Sequence, residues 1–268
     1  MRELSTNEMI EVQLGMLKDI DSFCKTNHID YTLDGGTLIG AVRHHGMIPW
    51  DDDIDIMMVR EEYDKFVSSY HSDKYVLKTY DYRLESWLLA TRVVDPRTAV
   101  FFNNNATESP HGIWVTIFPI DNAPDSDFFL KLKVWRIRIC KRLFEARNFF
   151  WRPYASVTKN LAAFFLHCMV FYFPRDYWQK KAEKAIRWFN DRKTERKGFF
   201  AMWQGAPWTC SAEAYSRYID WDFDGLQIRI LQGYDEYLTC QYGDYMTLPP
   251  VEERIPKHDY KAFLLDNS

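Results

Sequence analysis

Apolar residues recur every three or four positions at Met9, Val12, Met16, Ile20 and Phe23, behind a Ser5-Thr6-Asn7-Glu8 stretch with the Ser-x-x-Glu spacing of a capping box. The pattern predicts a helix from about residue 7 to 26. Tyr31 to Leu33 reads as a short strand that stops at Gly35-Gly36, after which Thr37 can cap a short helix through Arg43. Ile48-Pro49-Trp50 is a connector. Asp51 to Val59 alternates acidic and apolar residues and then turns wholly apolar, as in a strand with one end at a polar site. Arg60 to Tyr70 follows as a surface helix.

Residues 75 to 120 are rich in β-branched and aromatic residues and are broken by Asp95-Pro96 and Asn103-Asn104-Asn105. Three or four strands are expected there, the last running from Ile113 to Phe118 and ending at Pro119. From Asp125 the period becomes helical, with Phe128, Leu132, Trp135, Ile139, Leu143 and Phe150 on one stripe. Two more helices are expected near 154 to 172 and 175 to 197. The final third is less regular, with a helix at about 233 to 242 and a Pro-rich tail from Pro249. No repeat or low-complexity linker interrupts the chain, so the boundary near residue 123 marks a change of structural class.

At 268 residues, 47% apolar and 17% aromatic, the chain can bury one substantial core with a smaller helical extension. A net charge of -4 argues against a surface built to hold nucleic acid, and no nucleic-acid partner is expected. Five cysteines, Cys24, Cys140, Cys168, Cys210 and Cys240, are odd in number and form no zinc or C-x-x-C spacing, which points to a reducing compartment. The polar start, Met1 to Asn7, has no secretory pattern, and a cytoplasmic location is expected, with peripheral contact on the inner face of the membrane as a further expectation.

The chemistry concentrates in Asp34-Gly35-Gly36-Thr37 and, after fifteen intervening residues, Asp53-Ile54-Asp55. Side chains at i and i+2 of a strand share a face, so Asp53 and Asp55 can converge on one divalent cation, with Asp51 able to join them. Carboxylate oxygens suit a hard ion, Mg²⁺ or alternatively Mn²⁺. Glycines let a backbone approach a phosphate closely, and the start of the helix offers free N–H groups and a positive dipole end. Arg43 reads equally as a phosphate ligand or a surface residue, while His44 and His45 read as polar loop residues.

The run Asp34-Gly-Gly-Thr-Leu-Ile-Gly-Ala-Val-Arg-His-His-Gly-Met-Ile-Pro-Trp-Asp-Asp-Asp-Ile-Asp-Ile56 resembles the signature of the LicD family, bacterial phosphocholine transferases related to the fukutin proteins. Further similarity lies in Ile117-Phe-Pro-Ile-Asp121, Tyr234-Asp-Glu-Tyr-Leu238, Tyr242-Gly-Asp-Tyr-Met and Leu248-Pro-Pro250. The resemblance implies an α/β (α+β) fold: a nucleotidyltransferase-like core with a mixed sheet over 1–123, a helical basic and aromatic insertion over 124–220, and a C-terminal segment, 221–268, packing back on the core. It implies transfer of phosphocholine or a similar group from a CDP-linked donor, CDP-ribitol and CDP-glycerol being alternatives, to a sugar hydroxyl of a cell-surface glycan or glycolipid precursor. Gly35, Gly36 and Thr37 would hold the donor phosphates and Asp53 and Asp55 the metal. One departure stands out: Thr116 occupies the place of the family's aspartate before Ile-Phe-Pro. Asp121 is then the candidate substitute acid, and a non-catalytic binding or scaffold member is the alternative.

Between Lys131 and Arg152 eight basic residues face the single acid Glu145, interleaved with aromatics. Two readings stand: aromatics in a core with a solvated basic face, or peripheral contact with an anionic membrane through residues 131–173. The 13-residue apolar run Leu161 to Phe173 falls short of the roughly 20 residues a spanning helix needs.

Overall fold

The computed structural model describes residues 1–79, 90–102, 112–147, 156–174, 176–201, 208–256 and 260–266. In chain order they form β1 (Arg2–Glu3), α1 (Thr6–Asn27), β2 (Thr32–Leu33), α2 (Gly35–His44), β3 (Ile54–Val59), α3 (Arg60–Ser69), β4 (Val76–Lys78), β5 (Thr91–Val94), β6 (Thr98–Phe102) and β7 (Trp114–Ala123). Then follow α4 (Asp127–Arg147), α5 (Val157–Val170), α6 (Tyr177–Ile186), β8 (Arg196–Phe199), β9 (Thr209–Ser211), β10 (Tyr218–Phe223), β11 (Leu226–Leu231), α7 (Tyr234–Tyr242) and β12 (Tyr260–Leu264). The class is α/β with mixed sheets. Contacts divide the chain into one unit of residues 1–79, 90–120 and 210–268 and a second of 80–89 and 121–209.

The first unit is built on a mixed sheet with the path β2-β3-β7-β5-β4, in which only the β3–β7 pair is parallel. The central strand β3 buries Ile54, Ile56, Met57 and Met58, the near-continuous apolar run of a strand covered on both faces. Against the sheet lies α1, whose capping box forms as the sequence predicts: Ser5 and Glu8 satisfy each other's backbone N–H groups. Its buried face is Met9, Met16, Leu17, Ile20 and Cys24, with Gln13 among them. Strands β1, β12 and β6 make a separate antiparallel sheet that ties the C-terminal segment to the N-terminus.

Several expectations are corrected here. Asp34, not Thr37, caps α2, because a carboxylate one residue before Gly35 reaches its N–H while Thr37 already lies inside the helix. Strand β7 runs on through Pro119, which stays in register with Met58; its ladder with β5 has already ended at Ile117. The hairpin β10–β11 was not anticipated. Its signal was present in Asp224-Gly225, both at positive φ, the two-residue turn that matches strand twist. The Asn103-Asn104-Asn105 turn lies outside the described residues, as do Phe149, Phe150, Trp151 and Arg152.

In the second unit α4 packs against both α5 and α6. The predicted stripe of α4 is not the buried one: Phe128 and Trp135 are exposed, and Lys133, Val134, Ile137 and Phe144 are buried. The reason is Lys133. Its ammonium donates to the carbonyls of Asn122 at 2.7 Å and Trp188 at 3.1 Å and lies 4.0 Å from the centre of the Phe200 ring, which turns that face of the helix inward. Helix α6 stops at Ile186, well short of residue 197, because Phe189 takes a positive φ of 91° and the Asn190 side chain bonds to β7.

Lys133→Met should therefore lower stability by about 1–3 kcal/mol, since it removes the donor from two half-buried carbonyls. Thermal unfolding checks this: the melting temperature should fall by several degrees, whereas Lys131→Met, on the exposed side, should leave it unchanged.

Candidate functional site

Strand pairing assembles the site. Strand β2 ends at Leu33 opposite Ile56, and the next N–H, that of Asp34, continues the ladder to the Asp55 carbonyl at 2.9 Å. The chain then turns into α2. Asp34 is buried, accepts the Gly35 N–H at 2.7 Å and receives the Tyr237 hydroxyl from α7. Burial pushes its carboxyl above the usual aspartate range, and those two hydrogen bonds oppose the shift.

Both glycines are required by geometry. Gly35 has φ +53°, which favours glycine, and a Cβ there would lie 3.2 Å from the Tyr242 hydroxyl. At Gly36 a Cβ would stand 2.5 Å from a carboxylate oxygen of Asp51. The space over the turn is thus shared by an acid and a phenol at the N-terminal end of α2.

From Asp51 to Ile56 the chain alternates strictly: Asp51, Asp53 and Asp55 are half-buried while Asp52, Ile54 and Ile56 are buried. Asp51 and Asp53 precede β3, so strand alternation does not group them with Asp55, but their charges act on its carboxyl. One carboxylate oxygen each from Asp51, Asp52 and Asp53 lies within 4.8 Å of the others. Asp55 is held from three sides. Its N–H donates to the Thr37 hydroxyl at 3.0 Å, and the parallel register sets it beside Thr116, whose hydroxyl donates to its carboxylate. Desolvation, then the charges of Asp53 and Asp34, raise its carboxyl well above the ordinary value, against which the Thr116 bond works. The acidic loop itself is braced from beneath, because the buried Gln13 amide donates to the Asp52 and Trp114 carbonyls and the Tyr260 hydroxyl to the Asp52 carbonyl at 3.2 Å.

Register also reveals a residue that the sequence reading missed. Arg92 on β5 pairs with Thr116 on β7, which pairs with Asp55 on β3, so the three form one row across the sheet. The guanidinium carbon sits 4.4 Å over the Trp114 ring, and its Nε has no hydrogen-bond partner. Burial lowers the Arg92 pKa, while Asp55 and Asp53 act to raise it. A cation breaking the apolar alternation of Thr91-Arg92-Val93-Val94 was the available signal.

Of the other expected site residues, Arg43 and Asp121 lie elsewhere and Thr37 stays beside Asp55. Arg43 is eight positions along α2, roughly 12 Å from Gly35, and its guanidinium donates to the carbonyls of Tyr245 at 2.7 Å and Thr247 at 3.4 Å; it braces the C-terminal segment. Asp121 lies five residues beyond Thr116 on β7, roughly 16 Å along the strand, and the odd offset turns it to the opposite face. It is fully buried and accepts the Asn190 amide at 2.6 Å, a structural bond. Thr37 is buried with its oxygen committed to the Asp55 N–H, so it positions that acid instead of opening toward a phosphate. His44 packs edge-on to Trp50 and His45 stacks on Trp221.

Asp55 carries a cost that can be measured. A carboxyl whose folded pKa is raised is destabilising when ionised: stability is greatest below its unfolded pKa and declines as pH rises through the folded one. With a chelator at neutral pH, Asp55→Asn should raise the melting temperature by a few degrees, equivalent to about 1–2 kcal/mol, and flatten the loss of stability between pH 4 and neutrality. A lower melting temperature in the variant would contradict this.

The domain model described as LicD/FKTN/FKRP, nucleotidyltransferase domain, matches residues 28–135. Over 277 aligned residues, 99% of this chain and 100% of the relative, the sequence is 30% identical to the lipopolysaccharide cholinephosphotransferase LicD of Haemophilus influenzae. A 47-residue stretch, 18% of this chain, is 47% identical to the uncharacterized protein RP689 of Rickettsia prowazekii, where it covers 18% of that protein. The same length is 47% identical to RT0683 of Rickettsia typhi, covering 15% of it.

Proposed function

The chain belongs to the LicD family and is a transferase, and from that premise we propose that it moves phosphocholine from CDP-choline to a sugar hydroxyl of a cell-surface glycan or glycolipid precursor. The observation that carries this reading is the convergence of Asp51, Asp53 and Asp55 beside the start of α2, with Arg92 as the facing cation. An oxygen-only donor set fits a hard cation, and Asp53 and Asp55 would hold Mg²⁺ or Mn²⁺. A bound ion would neutralise charge on the diphosphate and on the departing CMP.

The protein's own groups do the rest. The Gly35 N–H is committed to Asp34, so it is the following turn of α2 that would face the diphosphate with its dipole end, and Arg92 would donate to a phosphoryl oxygen of the group in transfer. The acceptor oxygen attacks the phosphorus that bears choline, the bond from that phosphorus to the bridging oxygen breaks, and CMP leaves with the bonding pair. The hydroxyl proton passes to a carboxylate. Thr116 is neutral and Asp121 faces away, so Asp51, against Gly36, takes that role. A cytoplasmic location accords with a nucleotide donor, and among the described residues no helix is long and apolar enough to cross a membrane.

A second reading, a non-catalytic member that binds donor without turning it over, is favoured by Thr116 alone. One assay separates them. The native chain with Mg²⁺ and CDP-choline should release CMP, and Asp53→Asn should lower kcat by at least about 100-fold with its melting temperature within a few degrees of native. Donor with Mg²⁺ at about 100 times Kd should add about 2.7 kcal/mol, roughly 5–10 °C in melting temperature. Stabilisation without CMP release would select the binding reading; neither effect with CDP-choline, CDP-ribitol or CDP-glycerol would end both.

For Arg92, substitution by Gln should raise the KM for the CDP-linked donor and lower kcat, together about 100-fold or more in kcat/KM, and Lys should restore part of it. Steady-state kinetics would remove Arg92 from the site if kcat/KM for Arg92→Gln stayed native.

A further inference from the structure

From Asn160 to Pro174 the chain contains no Asp, Glu, Lys or Arg, and most of this tract forms α5. An apolar helix of a globular unit ordinarily buries its large side chains. Here Asn160 and Val170 are buried and the His167 Nδ1 lies 3.0 Å from the Ala146 carbonyl of α4, while Phe165, Met169 and Tyr172 are 69%, 61% and 90% exposed. Leu161 and Phe164 are exposed with them. Leu161, Phe165 and Met169 recur at helical spacing within α5, so they make one continuous face, and exposed Tyr172 follows just past the helix end. A contiguous exposed apolar face marks an interaction surface.

Charge identifies what meets it. The neighbouring α4 is strongly basic: Arg138, Lys141 and Arg142, with Glu145, line a cavity of about 330 Å³, and Lys131 and Arg136 are exposed on the same helix. Basic and apolar elements adjoin directly, since Arg147 at the end of α4 donates to the Phe173 carbonyl at 3.3 Å and lies 4.7 Å over the Phe171 ring. A 14-residue helix is roughly 21 Å long, too short for a hydrocarbon core of about 30 Å, but long enough to lie within its surface layer. A second copy of the chain is a poor occupant, because it would bring its own basic α4 to the same place.

We propose that α5 lies in the surface of an anionic lipid bilayer, with the Leu161 to Tyr172 face among the acyl chains and the cations of α4 on the lipid phosphates. This surface is independent of the transfer chemistry. It is tested with the full chain by sedimentation with vesicles of phosphatidylethanolamine and phosphatidylglycerol, and with vesicles of phosphatidylcholine alone. The native chain should pellet with the anionic vesicles at least about 10-fold more than with the neutral ones, and salt should reduce the difference. Phe165→Glu combined with Met169→Glu should cut binding about 10-fold or more without changing the melting temperature. Arg138→Glu with Arg142→Glu should abolish the preference for anionic lipid. Should the acidic apolar-face variant unfold, Phe165→Ser with Met169→Ser replaces it. The proposal is overturned if the native chain stays in the supernatant with both vesicles, or if the apolar-face variant pellets like the native chain. It is overturned equally if ultracentrifugation finds a dimer that this variant disrupts while vesicles bind nothing.

Discussion

Like charges held together by strand register are the constraint on which the first unit is organised. Two unit charges 4 Å apart repel by about 4 kcal/mol in a medium typical of a protein surface, and here Asp34, Asp51, Asp53 and Asp55 act on one another beside a single buried guanidinium. Nothing in the local chain would hold such a group together. The fold does so through long-range contacts: Gln13 and Tyr260 on the Asp52 carbonyl, Thr37 on the Asp55 N–H, and Tyr237 on the Asp34 carboxylate. The stabilising contacts lie outside the cluster and the repulsion within it.

Membership of the LicD family gives that centre its context, and Thr116 gives it its individual character. Parallel pairing puts position 116 directly beside Asp55, so an aspartate there would add one more negative charge to the crowd. The threonine lowers the repulsion and donates a hydrogen bond to Asp55, while Arg92, next in the same row, supplies positive charge. The row Asp55–Thr116–Arg92 runs from acid through neutral donor to cation across the sheet.

The second unit obeys a different logic. Its core is anchored by a buried lysine that spends its charge on two carbonyls and an aromatic ring, which leaves large apolar side chains of α5 outside. The proposed bilayer contact rests on this inversion, a unit that buries a lysine and exposes Phe165.

Local chemistry in the sequence was enough to place α1 by its capping box, to mark the acidic run that leads into β3, and to announce the glycine turn and the family. Those features depend on neighbours a few residues apart, whose geometry the backbone dictates. Sequence spacing could not say that Arg92 stands in the row of Asp55, that Asp121 faces the other way, that Arg43 is committed to the carbonyls of Tyr245 and Thr247, or which stripe of α4 turns inward. Each of those depends on the register of strands or the packing of helices far apart in the chain. Only the tertiary structure decides them, because a shift of one residue in pairing moves a side chain to the opposite face, and one buried lysine can outweigh an apolar stripe.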